Sequence, residues 1–235
     1  MRKLFLIGFL FLSVVAFAQN TRAESWFVAN TTFSLTKKWS AGFDLQHRRQ
    51  SNFPNKDKNP VSLGLNYTVR TWVYYKLPHN WTITTAPLGY FNFTDIKNNG
   101  DARNFHELRT MWGIVKRMEW GKLKNINRLA YEARFIQWDM PDATVQHRYR
   151  LQNILVYPIY KFSDKLALNA FGFNEFFLRT QNGKTEIDRN RVVLAPQLKF
   201  GKHDLSIGYQ WMLQNGGIAP DINKDILLVL MNFNF

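Results

Sequence analysis

Two segments far apart in the chain carry the same set of side chains: Gln46-His47-Arg48-Arg49 and Gln146-His147-Arg148-Tyr149-Arg150. Such residues support two kinds of chemistry. A histidine beside a hydroxyl can act as a general base and activate it as a nucleophile. Clustered arginines bind anions or pair with carboxylates. Ser51 and Thr144 are nearby in sequence, and neither lies in a recognisable catalytic motif. Which chemistry applies depends on the direction each side chain faces, and so on the elements that carry them.

Those elements read as β-strands. From Val61 to Lys76 the odd positions are nearly all apolar and the even ones mostly polar, over a length unusual for a soluble strand. The same alternation sets Trp39, Ala41, Phe43 and Leu45 against Ser40, Gly42, Asp44 and Gln46. It recurs through 128–135, 191–200 and 205–214, and the aromatic stretch 166–178 resists assignment. Short turns are expected near 36–38, 77–80, 120–124, 160–164 and 201–203. Longer loops rich in Asn, Asp, Gly, Lys and Pro are expected near 51–60, 94–104, 137–144, 180–188 and 215–224. Short turns at one end and longer loops at the other describe an all-β, antiparallel, up-and-down transmembrane β-barrel of about 10–12 strands. The connections imply eleven strands, and the usual preference for an even number makes a missed strand or an incomplete segment around Glu24 to Thr36 the expected resolution. Pro87 and Pro196 fall inside strands and each predicts a bulge or distortion.

The chain begins MRKLFLIGFLFLSVVAFA, a charged start, an apolar run shorter than the roughly 20 residues of a helical span, and an Ala-x-Ala site. The expected organisation is a signal peptide at 1–18 and a barrel at 19–235. Removing Arg2 and Lys3 lowers the formal net charge from +14 to +12. Export argues against nucleic acid as the partner of this charge, leaving anionic lipid, a polar pore or solubility. With no cysteine there is no disulfide framework, thiolate metal site or lipidation point. No phosphate-binding glycine loop or zincin helix is present: FHELRT lacks the second histidine. No cofactor and no metal are expected.

Aromatic residues gather near both ends of the strands. Trp39, Tyr75, Trp81, Trp120, Tyr157, Tyr160, Phe162 and Phe200 lie beside the short turns, and Trp26, Phe53, Phe91, Phe93, Phe105, Phe135, Trp138 and Trp211 beside the loops. These predict two interfacial girdles. Trp72 has the parity of the lumen. With short turns on the periplasmic side, Arg48, Arg109, Arg134, Arg148, Arg150 and Arg191 fall in the lumen near the outer mouth. Asp44, Glu107, Glu132 and Glu175 are their expected acidic partners. Two readings stay open: an ion-pair network filling a small barrel, and an arginine-lined constriction selecting anions. His47 and His147 share the apolar parity and are expected at the lipid headgroups.

The last strand, ILLVLMNFNF, alternates and ends on Phe235. Such an ending resembles the signal read by the machinery that inserts bacterial outer-membrane barrels, which would be one partner beside outer-membrane lipids and lipopolysaccharide. The opening ESWFVANTTFSLTKKWSAGFDLQHRRQ, the later HRYRLQN and the NEFF of Asn174 to Phe177 resemble an exported family of Gram-negative bacteria, known as a domain of unknown function and presumed to form outer-membrane barrels. The likeness spans nearly all of the mature chain and brings no catalytic residues with it. The leading expectation is a monomeric outer-membrane barrel, either a narrow anion-preferring channel or a structural envelope barrel. The alternatives are a membrane-embedded lipid hydrolase using His47 or His147 and a secreted soluble lipid-binding barrel.

Overall fold

The computed structural model describes residues 20–96, 100–138, 143–215 and 222–235; the predicted signal peptide lies outside them. Eleven strands form one closed barrel: β1 (Asn20–Ser34), β2 (Trp39–Gln50), β3 (Leu63–Lys76), β4 (Trp81–Ile96), β5 (Ala102–Trp120), β6 (Leu123–Trp138), β7 (Ala143–Lys161), β8 (Leu166–Gln181), β9 (Lys184–Phe200), β10 (His203–Gln214) and β11 (Ile222–Asn234). Neighbours are antiparallel except at the closure, where β1 runs parallel to β11 with Asn20 opposite Ile222 and Thr32 opposite Asn234. The segment around Glu24 to Thr36 supplies a full strand, and the described residues contain no twelfth. An up-and-down barrel with an odd count must close in parallel, and it does.

The alternation now has a physical meaning. Leu45, Val69, Leu129, Leu151, Leu194 and Ile207 point outward and are exposed, Leu194 at 67%. Polar neighbours such as Asp44, Thr68, Arg150, Gln152 and Ser206 point inward and are buried. A soluble barrel would bury the apolar face instead. A closed barrel also leaves no unpaired edge, which is what a strand-built structure needs in hydrocarbon.

Three local features refine the predicted strands. Pro87 sits in a bulge, where the register shifts between Ala86 and Gly89. Pro196 leaves a gap in the β9–β10 pairing, between Gln197–Ser206 and Leu194–Tyr209, without changing the register. Between 180 and 188 the expected long loop is absent: β8 and β9 join through Asn182-Gly183, both at positive φ (52° and 74°). Two left-handed residues make the tight primed turn that matches strand twist, and Asn-Gly is its preferred sequence. Asp188 and Arg189 are therefore strand residues.

The aromatic girdle at the short turns is present. Trp39, Trp81, Trp120, Tyr157, Tyr160 and Phe162 are all exposed there. The girdle at the loop end is composed differently from expectation. Trp26 and Phe91 are buried inside, and Phe91 stacks on Phe93, which stacks on Phe105. Nearness to a strand end fixes height but not parity. Among the described residues the exposed outward rings at that end include Tyr67, Tyr90, Tyr149, Tyr209 and Phe135, and Trp211 shares their parity while half-buried.

Candidate functional site

Each inward position at mid-barrel is constrained by the two strands beside it, and the sequence places opposite charges across those seams. Glu107 on β5 accepts from Arg109 Nε on its own strand (2.8 Å) and from Arg134 Nε on β6 (2.6 Å). Glu132 on β6 accepts from Arg148 Nε on β7 (2.8 Å) and from Arg150, and Arg109 lies 3.8 Å away. Glu175 on β8 accepts from Arg150 Nε (2.9 Å), Arg191 Nε on β9 (2.5 Å) and Arg128 (3.2 Å). Arg148 also reaches Asp188 on β9 at 3.2 Å. Guanidinium–carboxylate pairs thus run without interruption from β5 to β9.

Glu107, Glu132 and Glu175 are 0% exposed, and Arg148 is 2% exposed. Buried charges are tolerated only when paired and hydrogen-bonded, and each of these carboxylates holds at least two guanidiniums. Phe177, 2% exposed, stands among them, with the guanidiniums of Arg148, Arg150 and Arg191 at 4.8, 5.0 and 5.3 Å from its ring centre. Such contacts offset part of the cost of desolvating the cations.

A smaller cluster stands on β2 and β3. Asp44 accepts from Arg70 Nε (2.8 Å) and from the indole N–H of Trp72 (2.6 Å). Trp72 does face the lumen, where its N–H has this partner. Across β1 and β8–β11 the lumen also holds an apolar cluster, Trp26, Phe171, Val193, Ala195, Met212, Ile226 and Leu228, beside buried polar side chains such as Ser206 and Gln210. The interior is filled by side chains of both kinds.

Arg48 stands apart. Its guanidinium lies 3.8 Å over Trp26 and donates to Gln46 Oε1 (2.6 Å), and it forms no ion pair within 4 Å among the described residues, Glu24 being the carboxylate whose charge reaches it. Its Nε has no acceptor there. Arg191 lies 5.8 Å from the same indole, and Trp26 Nε1 donates to Glu24 at 2.7 Å.

All six arginines and four carboxylates singled out in the sequence thus lie inside the barrel. Asp188, Arg70, Arg128, Lys224 with Glu24, and Phe177 join them. Asp188 was hidden by the supposed loop at 180–188, and Phe177 by a stretch aromatic on both faces. The inward parity of Glu24 and Trp26 has no clear sequence signal, since Trp26, Phe27 and Val28 are all apolar; the structure buries Trp26 and exposes Phe27.

The histidines face outward. His47 lies between the rings of Phe27 (6.4 Å) and Tyr67 (4.5 Å), and His147 Nδ1 is 2.6 Å from the Tyr131 hydroxyl. Among the described residues neither imidazole has a serine as a hydrogen-bond or ring partner. Ser51 is 1% exposed, with its backbone N–H on Ala23 O (2.8 Å), and Thr144 belongs to the inward set of β7. The described residues contain no group of three or more His, Asp or Glu arranged to hold a metal ion.

An apolar outer surface, a polar filled lumen and full closure define a β-barrel of the outer-membrane type. The chain belongs to the family DUF2490, described as a protein of unknown function, whose model matches residues 23–221. No curated protein matches the chain. Among solved structures it is similar to the beta domain of the Bordetella autotransporter BrkA (12% identity, TM-score 0.49, covering 78% of this chain and 80% of that one). It is also similar to LpxR from Salmonella typhimurium (10% identity, TM-score 0.47, covering 83% of each).

Proposed function

We propose that this protein is an outer-membrane barrel whose lumen is closed by its own side chains, so that it serves as a structural envelope barrel and not as an open channel. One observation carries the reading: the carboxylates of Glu107, Glu132 and Glu175 have no exposure although they line the lumen. A water-filled pore would wet them. Arginine rings select anions only where the ring stays open, and here the guanidiniums are spent on carboxylates from neighbouring strands. Liposome swelling tests this: reconstituted protein should leave vesicles impermeable to small sugars and amino acids, and rapid swelling would refute it.

The anion-preferring channel survives as a second reading on one observation, the Arg48 guanidinium with no ion pair to a carboxylate among the described residues. If the network parts, the lumen carries more guanidiniums than carboxylates and an opened path would favour anions. A lipid hydrolase receives no comparable support, because the histidines are partnered by aromatic rings.

A further inference from the structure

Among the described residues the two rims of the barrel differ in charge. The long-loop rim mixes Lys56, Asp57, Lys58, Lys184 and Glu186. The short-turn rim is strongly basic, with exposed Lys37, Lys38, Lys76, Lys122, Lys165 and Lys202 against exposed Glu119 and Asp164. Three turns of that rim surround an open depression of about 550 Å³.

Lys122 comes from the β5–β6 turn, Lys165 from the β7–β8 turn and Lys199 from the end of β9, and all three are exposed. Lys161 is tied to Asp164 at 2.6 Å, whereas Lys122 and Lys165 form no ion pair within 4 Å among the described residues, and Lys199 has only Asp204 nearby, opposite it in the β9–β10 pairing and outside ion-pair distance. The frame that carries them is fixed, because Gly201 N–H donates to Lys165 O at 2.7 Å and joins two of the turns. Pro158, Ile159 and Leu166 form an apolar wall, and Tyr160 stands at its lip, 60% exposed. Compact ammonium groups suit phosphate. Ile159 and Tyr160, exposed at the height of the aromatic girdle, suit an acyl chain beside a headgroup.

We infer that this depression binds an anionic phospholipid from the leaflet beside the short turns, with Lys122, Lys165 and Lys199 on the phosphate and the acyl chain along Ile159. Clustered lysines beside a bilayer attract such lipids. The inference rests on the membrane placement proposed above. Free inorganic phosphate shares the headgroup chemistry but has no use for the apolar wall.

The test places the protein in phosphatidylcholine nanodiscs doped with phosphatidylglycerol, then counts retained lipids by native mass spectrometry in neutral detergent. Phosphatidylglycerol should be retained over phosphatidylcholine by about tenfold, as expected for several lysines at a charged surface. That preference should fall to about twofold in K122Q/K165Q/K199Q and to an intermediate value in K165Q, and should persist in K56Q/K58Q/K184Q on the other rim. Equal retention of the two lipids by folded wild type overturns the inference. So does equal loss in both triple variants, or displacement of the lipid by inorganic phosphate, which would mark a free-anion site. A chain that never enters the discs overturns the membrane placement as well, and co-elution reports that separately.

Discussion

Arg150 Nε lies 2.9 Å from Glu175 Oε1, and the same guanidinium also reaches Glu132. One β7 side chain therefore bridges carboxylates on β6 and β8, the strands on either side of its own. Removing Glu132 leaves Arg148, Arg150 and Arg109 with only Asp188, Glu175 and Glu107 as partners, and adds an uncompensated positive charge to a buried interior. Glu132→Gln should destabilise the barrel by about 3–5 kcal/mol, the cost of breaking a buried pair. Urea unfolding in lipid vesicles measures it, and a change below about 1 kcal/mol would mean the lumen is wetter than its burial implies.

Two glycines allow neighbouring strands to approach. A Cβ on Gly42 would stand 2.1 Å from Thr31 O, and one on Gly208 would stand 2.3 Å from Leu194 O. Neither contact is with a flexible side-chain tip, so backbone must shift. Gly42→Ala and Gly208→Ala should each cost about 1–3 kcal/mol, as overpacking does. Gly64→Ala, with nothing within 4 Å of its Cβ, is the control that should change little.

The long loop between β2 and β3 is held by Asp57, which accepts from Asn59 N–H (2.8 Å), Asn52 N–H (3.4 Å) and the Ser62 hydroxyl. These hydrogen bonds, Ser62's first, hold its carboxyl below the usual range. A depressed folded value means the bonds support the loop at neutral pH. That support weakens as pH falls below the ordinary carboxylate range and is gone once Asp57 protonates in the folded loop. Hydrogen exchange at residues 52–62 should therefore be slow at pH 6, faster in Asp57→Asn at that pH, and should converge with the variant in strong acid after correction for intrinsic rates.

The parallel closure puts Asn20 at the long-loop end and Phe235 at the short-turn end. An epitope placed just before Asn20 should be reached by antibody on intact cells, and one following Phe235 only after permeabilisation. Labelling of both ends from the same side would indicate an even strand number.

Much of the barrel was legible because its two faces meet different solvents: each strand must alternate, and parity alone placed Arg48, Arg148 and Glu132 inside. The pairing partners were less legible, since they depend on register, which a single sequence leaves open. The Asn182-Gly183 turn was missed because polar residues on both sides of it resemble a loop. Phe177 was missed because lumen and lipid can both take an aromatic ring. The lysine depression gathers three turns that are distant in sequence, and only closure of the sheet brings them together.

Closure of the lumen is tested most directly by single-channel recording of the refolded protein in a planar bilayer under a salt gradient. The account predicts a silent wild type, with insertion verified by protease protection, and discrete anion-favouring steps once Glu132→Ala and Arg148→Ala together part the network. Steady steps from wild type would contradict it, and cation-favouring steps would also remove any role for Arg48 in selecting anions.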